Sequence, residues 1–407
     1  EVYAAEDIVS PDGLNTVYYA KDTLVAEIVT NDKGIASIEN LPLGKYYLVE
    51  TKTLEGFVLD SEPIMADLSY VDQHTEVVYA GMEVTNERQK VQVTVIKTDA
   101  ETKKELEGAI FGLYAAEDIV NADGKIIVAK DTLVEKAVTG TDGKCVFVSD
   151  LPLGQYYVKE IEAPKGYVLN EEIFALDASY QGDDVKVIEL EATFANYPTK
   201  LEISKTDITG EYELKGATLS IIDKDGNVVE TWKSDGETHY IERIPVGEYI
   251  LREEAAPYGY KIANEVKFTV ENTKEIQKVS MKDELVSGKI IIEKTDEVTG
   301  KGIAGVEFEI RDKDGKVIET LVTDKNGHAE SKELPIAVFK DGKFVEDIKY
   351  FVVETKAAEG YILDSTPHEV VLQYDDEAPE VVTYTLSVTN KPTEPKLPQT
   401  GDNMNPW

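Results

Sequence analysis

At 407 residues the chain is too long for one hydrophobic core and suits three or four domains of about 100 residues each. Its 42 Lys and Arg stand against 79 Asp and Glu, a formal charge of −37. That charge excludes nucleic acid and anionic membranes as partners and reads first as solubility and self-repulsion. A single cysteine, Cys145, rules out an intrachain disulfide, so small β-domains here are either intracellular or stapled by other means. No stretch is apolar enough to cross a bilayer. Glu1 opens no signal peptide and reads as the start of a fragment or processed product.

Taken in order along the chain, the elements repeat. YAAEDIVSPDG at 3–13 returns as YAAEDIVNADG at 114–124, and AKDTLV at 20–25 returns at 129–134. A second phrase occurs four times, as LPLGKYYLVETKTLEGF from Leu41, LPLGQYYVKEIEAPKGY from Leu151, IPVGEYILREEAAPYGY from Ile244 and YFVVETKAAEGY from Tyr350. A third occurs three times, as VTVIKTD ending at Asp99, LEISKTD at Asp207 and IIIEKTD at Asp296. Each of these is followed by a small pair, Gly108-Ala109, Gly216-Ala217 or Gly305-Val306, that opens another alternating run. The closing strands read MEVTN to Asn86, ATFAN to Asn196, SMKD to Asp283 and LSVTN to Asn390. The first unit has no KTD strand.

Alternation at period two with β-branched and aromatic residues predicts strands, and NDKG, DKDG and DKNG predict hairpin turns. Regular short strands without a helical pattern predict an all-β array of sandwiches, with domains at 1–89, 90–198, 199–286 and 287–392 and a Pro-rich tail at 393–407. Cys145, inside the alternating KCVFVSD, reads as a small core residue. In the pairs Tyr46-Tyr47 and Tyr156-Tyr157 one ring should face the core and the other solvent. Asp223, Asp225 and Gly226, and Asp312, Asp314 and Gly315, lack the remaining ligands of a calcium loop and read as turns. His74, His239, His328 and His368 have no zinc spacing, so no metal or cofactor is expected.

The phrase YxLxETxAPxGY is similar to the E-box of Gram-positive pilins. With the KTD strand and the closing Asn, it resembles the Cna-B-type domain of sortase-anchored adhesins and pilins. The resemblance implies Ig-like β-sandwiches in an elongated array. It also implies an autocatalytic amide bond in which a first-strand Lys joins a closing Asn or Asp with help from the E-box Glu. Carried over, these are Lys97, Asn196 and Glu160; Lys205, Asp283 and Glu253; and Lys294, Asn390 and Glu354. The first unit keeps Glu50 and Asn86 without a Lys. The chemistry suits these residue types. Burial lowers a lysine pKa so that its amine can be neutral, and raises a glutamate pKa so that it can polarise the carboxamide oxygen and shuttle protons.

At the carboxyl end LPQTG, 397–401, resembles the LPxTG sorting signal, with cleavage implied between Thr400 and Gly401. The resemblance implies sortase and peptidoglycan as partners, an extracellular wall-attached location and a structural stalk with no enzymatic turnover. Two other readings stay open: a polymerised pilin subunit, and an adhesin domain that contacts a host protein or glycan.

Overall fold

A strand that alternates apolar and polar residues buries its apolar face only by lying on a second sheet. In the computed structural model, which describes residues 1–121, 123–374 and 380–394, the described residues form strands and turns with no helix. The chain divides between Tyr197 and Pro198 into two compact units. Thr400 and Gly401 lie outside the described residues.

The second repeat shows the plan. Its first strand, Lys90–Asp99, is the centre of a three-stranded sheet, between Lys144–Phe147 and the closing strand Val187–Asn196. The facing sheet runs in the order Leu133–Val138, Ile110–Ala115, Gly154–Glu162, Ile173–Ala178. Val93, Val95, Phe111, Leu113, Tyr156, Val158, Ala192 and Phe194 fill the space between them, together with Cys145. Neighbours pair antiparallel except the first and last strands, which run parallel and in register from Val187 opposite Lys90 to Asn196 opposite Asp99. The third repeat repeats this pairing with Lys200–Asp207 and Ile276–Asp283, and the fourth with Ser287–Asp296 and Val381–Asn390.

A buried tyrosine marks each repeat. The hydroxyls of Tyr46, Tyr156, Tyr249 and Tyr350 donate to the carbonyls of Pro42, Pro152, Pro245 and Pro335 at 2.7, 2.7, 2.7 and 2.6 Å. The bond satisfies a phenol that would otherwise be buried without a partner. In the fourth repeat Pro335 and Tyr350 are 15 residues apart rather than four, because an extra hairpin, Ala337–Lys340 with Lys343–Asp347, stands between them.

The first repeat departs from the sequence reading. It forms one four-stranded sheet, in the order Leu24–Ala26, Val2–Ala4, Lys45–Leu48, Ile64–Asp67, and a two-stranded pair of Ile8–Val9 with Val17–Tyr19. MEVTN, expected as a closing strand to Asn86, is not a strand, and the NDKG turn closes on Asn31 without paired strands beside it. A closing strand takes its hydrogen bonds from the KTD strand next to it, and here that partner is missing. Val29, Leu54, Tyr70, Val77 and Tyr79 are exposed in this repeat.

Candidate functional site

On the first strand of the second repeat Val91, Val93, Val95, Lys97 and Asp99 share the inward face. Lys97 thus continues a row of valines into the core rather than pointing to water. On the closing strand Ala192, Phe194 and Asn196 form the matching row, and Asn196, two places beyond the residue opposite Lys97, brings its side chain to the lysine. Glu160 arrives from the other sheet, where it pairs with Phe111. All three side chains are buried.

Lys97 Nζ contacts Asn196 Oδ1 and lies 3.3 Å from Glu160 Oε1. Asn196 Nδ2 donates to both Glu160 oxygens at 2.9 Å, and the Asn170 amide donates to Glu160 Oε2 at 2.8 Å. The Phe111 ring lies under the ammonium, 5.9 Å from nitrogen to centroid. Burial lowers the Lys97 pKa to about 8 despite the opposing charge of Glu160.

The fourth repeat reproduces this arrangement. Lys294 Nζ contacts Asn390 Oδ1, donates to the Thr389 carbonyl at 3.0 Å and lies 2.8 Å from Glu354 Oε2. Asn390 Nδ2 donates to Glu354 Oε1 at 2.7 Å, and Phe308 sits under the lysine at 5.6 Å. In the third repeat Lys205 Nζ contacts Asp283 Oδ1 and lies 2.9 Å from Glu253 Oε1. Here two carboxyls face one lysine. Burial pushes the Asp283 carboxyl up to about 7, with Glu253 adding to the shift and Lys205 opposing it. Leu219 takes the place of the phenylalanine, paired with Glu253.

In the first repeat Asn86 Nδ2 donates to Glu50 Oε2 at 2.6 Å and to the Val58 carbonyl at 3.0 Å. The pair keeps its mutual geometry without a lysine and is only half-buried.

One detail differs from expectation. The glutamates were expected on the carboxamide oxygen, whereas Glu160 and Glu354 meet the amide nitrogen and the lysine meets the oxygen. A carboxylate can only accept, so it pairs with the NH2 group, and the carbonyl is left to the cationic donor.

Sequence reasoning passed over three supporting groups. The first is the residue two places after the small pair, Phe111, Leu219 or Phe308, directly opposite the glutamate. Period-two counting from Ala109, Ala217 and Val306 would have found it. The second is the KTD aspartate. Asp99 Oδ2 accepts from the Tyr167 hydroxyl at 3.0 Å, and Asp296 Oδ2 from Tyr361 at 2.8 Å. The Thr299 amide and the Tyr361 hydroxyl hold the Asp296 carboxyl down at about 2. This bond ties the end of the first strand to the last residue of the E-box phrase. The third is a turn glycine. The carbonyls of Gly143 and Gly327 accept from the amides of Lys97 and Lys294 at 2.7 Å. A Cβ at those glycines would stand 2.6 and 2.0 Å from the lysine carbonyls.

Tandem all-β repeats with parallel terminal strands and a buried lysine between them define an array of prealbumin-like domains. The chain belongs to the SpaA family of prealbumin-like fold domains, whose model matches at 14–82, 91–191, 199–285 and 288–386. It is 24% identical over 189 residues to the trypsin-resistant surface T6 protein of Streptococcus pyogenes, covering 45% of this chain and 31% of that protein. It is 26% identical over 259 residues to the serine-aspartate repeat-containing protein D of Staphylococcus aureus strain Newman, covering 52% of this chain and 19% of that one. The chain therefore spans a third or less of these relatives. Among solved structures it is similar to the Bacillus anthracis TIE protein, with 22% identity, a TM-score of 0.45, and coverage of 89% of this chain and 66% of that one.

Proposed function

We propose that the chain is a structural stalk of a Gram-positive surface protein, anchored to the wall through Thr400, whose second, third and fourth repeats are each locked by a lysine isopeptide bond. One observation carries this reading: the same buried Lys, Asn or Asp, and Glu meet between the first and last strands of three successive repeats. Lysine is rarely buried, so three such sites in register need a common reason.

The proposed reaction balances. The Glu160 carboxylate takes a proton from the Lys97 ammonium. The free amine attacks Asn196 Cγ and loses a second proton, and the leaving amide nitrogen departs with one added proton as ammonia. Glu160 is left protonated. In the third repeat the protonated Asp283 loses water instead. Each site turns over once, so the protein is a product of its own chemistry and not an enzyme.

The topology supports a mechanical purpose. Because the terminal strands are parallel, the chain enters a repeat at one end of the pair and leaves at the other. A pull would shear the pair along its length. A bond from Lys97 to Asn196 would pass the force straight to the exit strand and bypass everything between. The word "surface" in the name of the streptococcal relative agrees with an external location for this chain.

Intact mass tests the proposal. The protein should weigh less than its sequence by two ammonias and one water, and peptide mapping should place the links at Lys97, Lys205 and Lys294. An unmodified mass would refute the locked-stalk reading and leave three buried ion pairs in its place.

A further inference from the structure

The hairpin inserted in the fourth repeat has no counterpart in the others. A two-stranded hairpin is marginal in water by itself. This one lays its rings on the third repeat. Phe339 meets Tyr260 edge-on at 5.1 Å between centroids, and Phe344 meets Tyr258 edge-on at 5.0 Å. Tyr374 closes on Tyr258 at 5.3 Å, and its hydroxyl donates to the Tyr260 carbonyl at 3.4 Å. The Tyr258 hydroxyl donates to Asp347 Oδ1 at 3.1 Å. Two glycines bring the backbone close against side chains of the facing repeat. A Cβ on Gly259 would stand 2.5 Å from the Phe339 ring, and one on Gly342 would stand 2.9 Å from Tyr212.

The receiving turn, Tyr258-Gly259-Tyr260, ends the third repeat's E-box phrase and is bonded to the link between repeats. Val286 donates to the Gly259 carbonyl and Lys261 to the Glu284 carbonyl, both at 2.9 Å. The junction between the first and second repeats makes a useful contrast. Its equivalent turn glycine, Gly56, has room for a Cβ, which would find only Leu153 within 4 Å, at an ordinary 3.5 Å. Leu153 belongs to the short Leu-Pro-Leu-Gly turn that the insertion replaces. The hairpin therefore enlarges a small contact into an aromatic interface at the same place in the repeat.

We infer that the inserted hairpin is a clasp that couples the third and fourth repeats into one mechanical body and keeps the link around 284–287 from bending. Aromatic edge-to-face pairs and a tyrosine–carboxylate hydrogen bond hold rings in fixed directions, which a purely aliphatic contact does not. The clasp stands on geometry alone and requires no isopeptide bond.

The test uses the full chain and hydrogen exchange read on the opposite side of the junction. Tyr258 and Phe344 are 42% and 46% exposed, so truncating either leaves its own repeat's core intact. Tyr258→Ala should speed exchange in the hairpin, 337–347. Phe344→Ala should speed it at 258–262 and 284–288. Both effects should be about tenfold or more, because local opening governs exchange there. The core strands Lys215–Asp223 and Glu307–Arg311 should keep wild-type protection, which verifies folding. Acceleration confined to the mutated repeat, or none at all, would overturn the clasp. Because intact mass scores the crosslinks separately, failure of the clasp and failure of the locked stalk are distinguishable.

Discussion

Replacing Glu160 by alanine should separate the proposed crosslink from the fold. Glu160 is the group within reach of both the lysine nitrogen, at 3.3 Å, and the amide nitrogen that must leave, at 2.9 Å. Without it Lys97 keeps its contact with Asn196 but has nothing to carry its proton away, so the bond should not form. Lys97 and Asn196 are 99 residues apart, and closing a loop of that size is worth about 4.7 kcal/mol in the chain-entropy account. At roughly 4–8 °C per kcal/mol for a domain of about 100 residues, the second repeat should melt about 19–38 °C lower. A second effect has the same sign. Removing one member of a buried charged pair costs about 3–5 kcal/mol if the other keeps its charge. Glu160 opposes the downward shift of Lys97, so its loss moves that pKa further down, which relieves part of that cost. The loop term therefore dominates. Intact mass should show one ammonia fewer lost than in wild type, and calorimetry should show the lower transition. If peptide mapping finds Lys97 joined to Asn196 in the variant at the wild-type rate, Glu160 is not the proton carrier.

Four further outcomes follow from the same geometry. When unfolded protein is refolded, bond formation at Lys97 should speed up as pH rises through about 8, because the neutral amine reacts, whereas bond formation at Asp283 should slow as pH rises through about 7, because the acid form loses water; timed peptide masses showing one common pH profile would contradict both assignments. In an uncrosslinked variant the linkage signs are fixed too: Lys97, with its pKa lowered from 10.5, adds stability as pH rises from about 8 to 10.5, and Asp283, with its pKa raised from 3.8, removes it from about 4 to 7, measurable by denaturant titration. Gly327→Ala should destabilise the fourth repeat by several kcal/mol and leave Lys294 unlinked, since its Cβ would stand 2.0 Å from the Lys294 carbonyl in a backbone at φ +82°; a variant that melts and crosslinks like wild type would show that the turn yields freely. Amides at 68–86 should exchange faster than those of Val187–Asn196, because no strand pairs with them, and equal protection would show that this segment is held by contacts other than strand pairing.

Much of the site was legible because the repeats are in register. Lys97, Lys205 and Lys294 each precede Thr-Asp on an alternating strand, and the glutamates and closing residues recur at fixed places in their phrases. Period-two counting also places those lysines on the same face as Val93 and Val95, Leu201 and Ile203, or Ile290 and Ile292. Orientation was not legible. Whether glutamate meets the oxygen or the nitrogen of the asparagine depends on which donor the facing strand delivers, and Lys97 already occupies the oxygen. MEVTN failed as a strand for the same reason: its alternation matches that of SMKD and LSVTN, but a strand needs a neighbour's amides and carbonyls as well as a pattern.

The sequence by itself determined the all-β class, the repeat order, the absence of an intrachain disulfide, and the residue types at each site, since period and cysteine count are local properties. Only the tertiary structure decided that the terminal strands run parallel, that Glu160 and Glu354 meet the asparagine nitrogen rather than its oxygen, and that Ala337–Lys340 and Lys343–Asp347 turn back onto Tyr258 and Tyr260. These depend on contacts between segments far apart in the chain. Such contacts form only when two sheets close on one another, and no window of sequence carries that information.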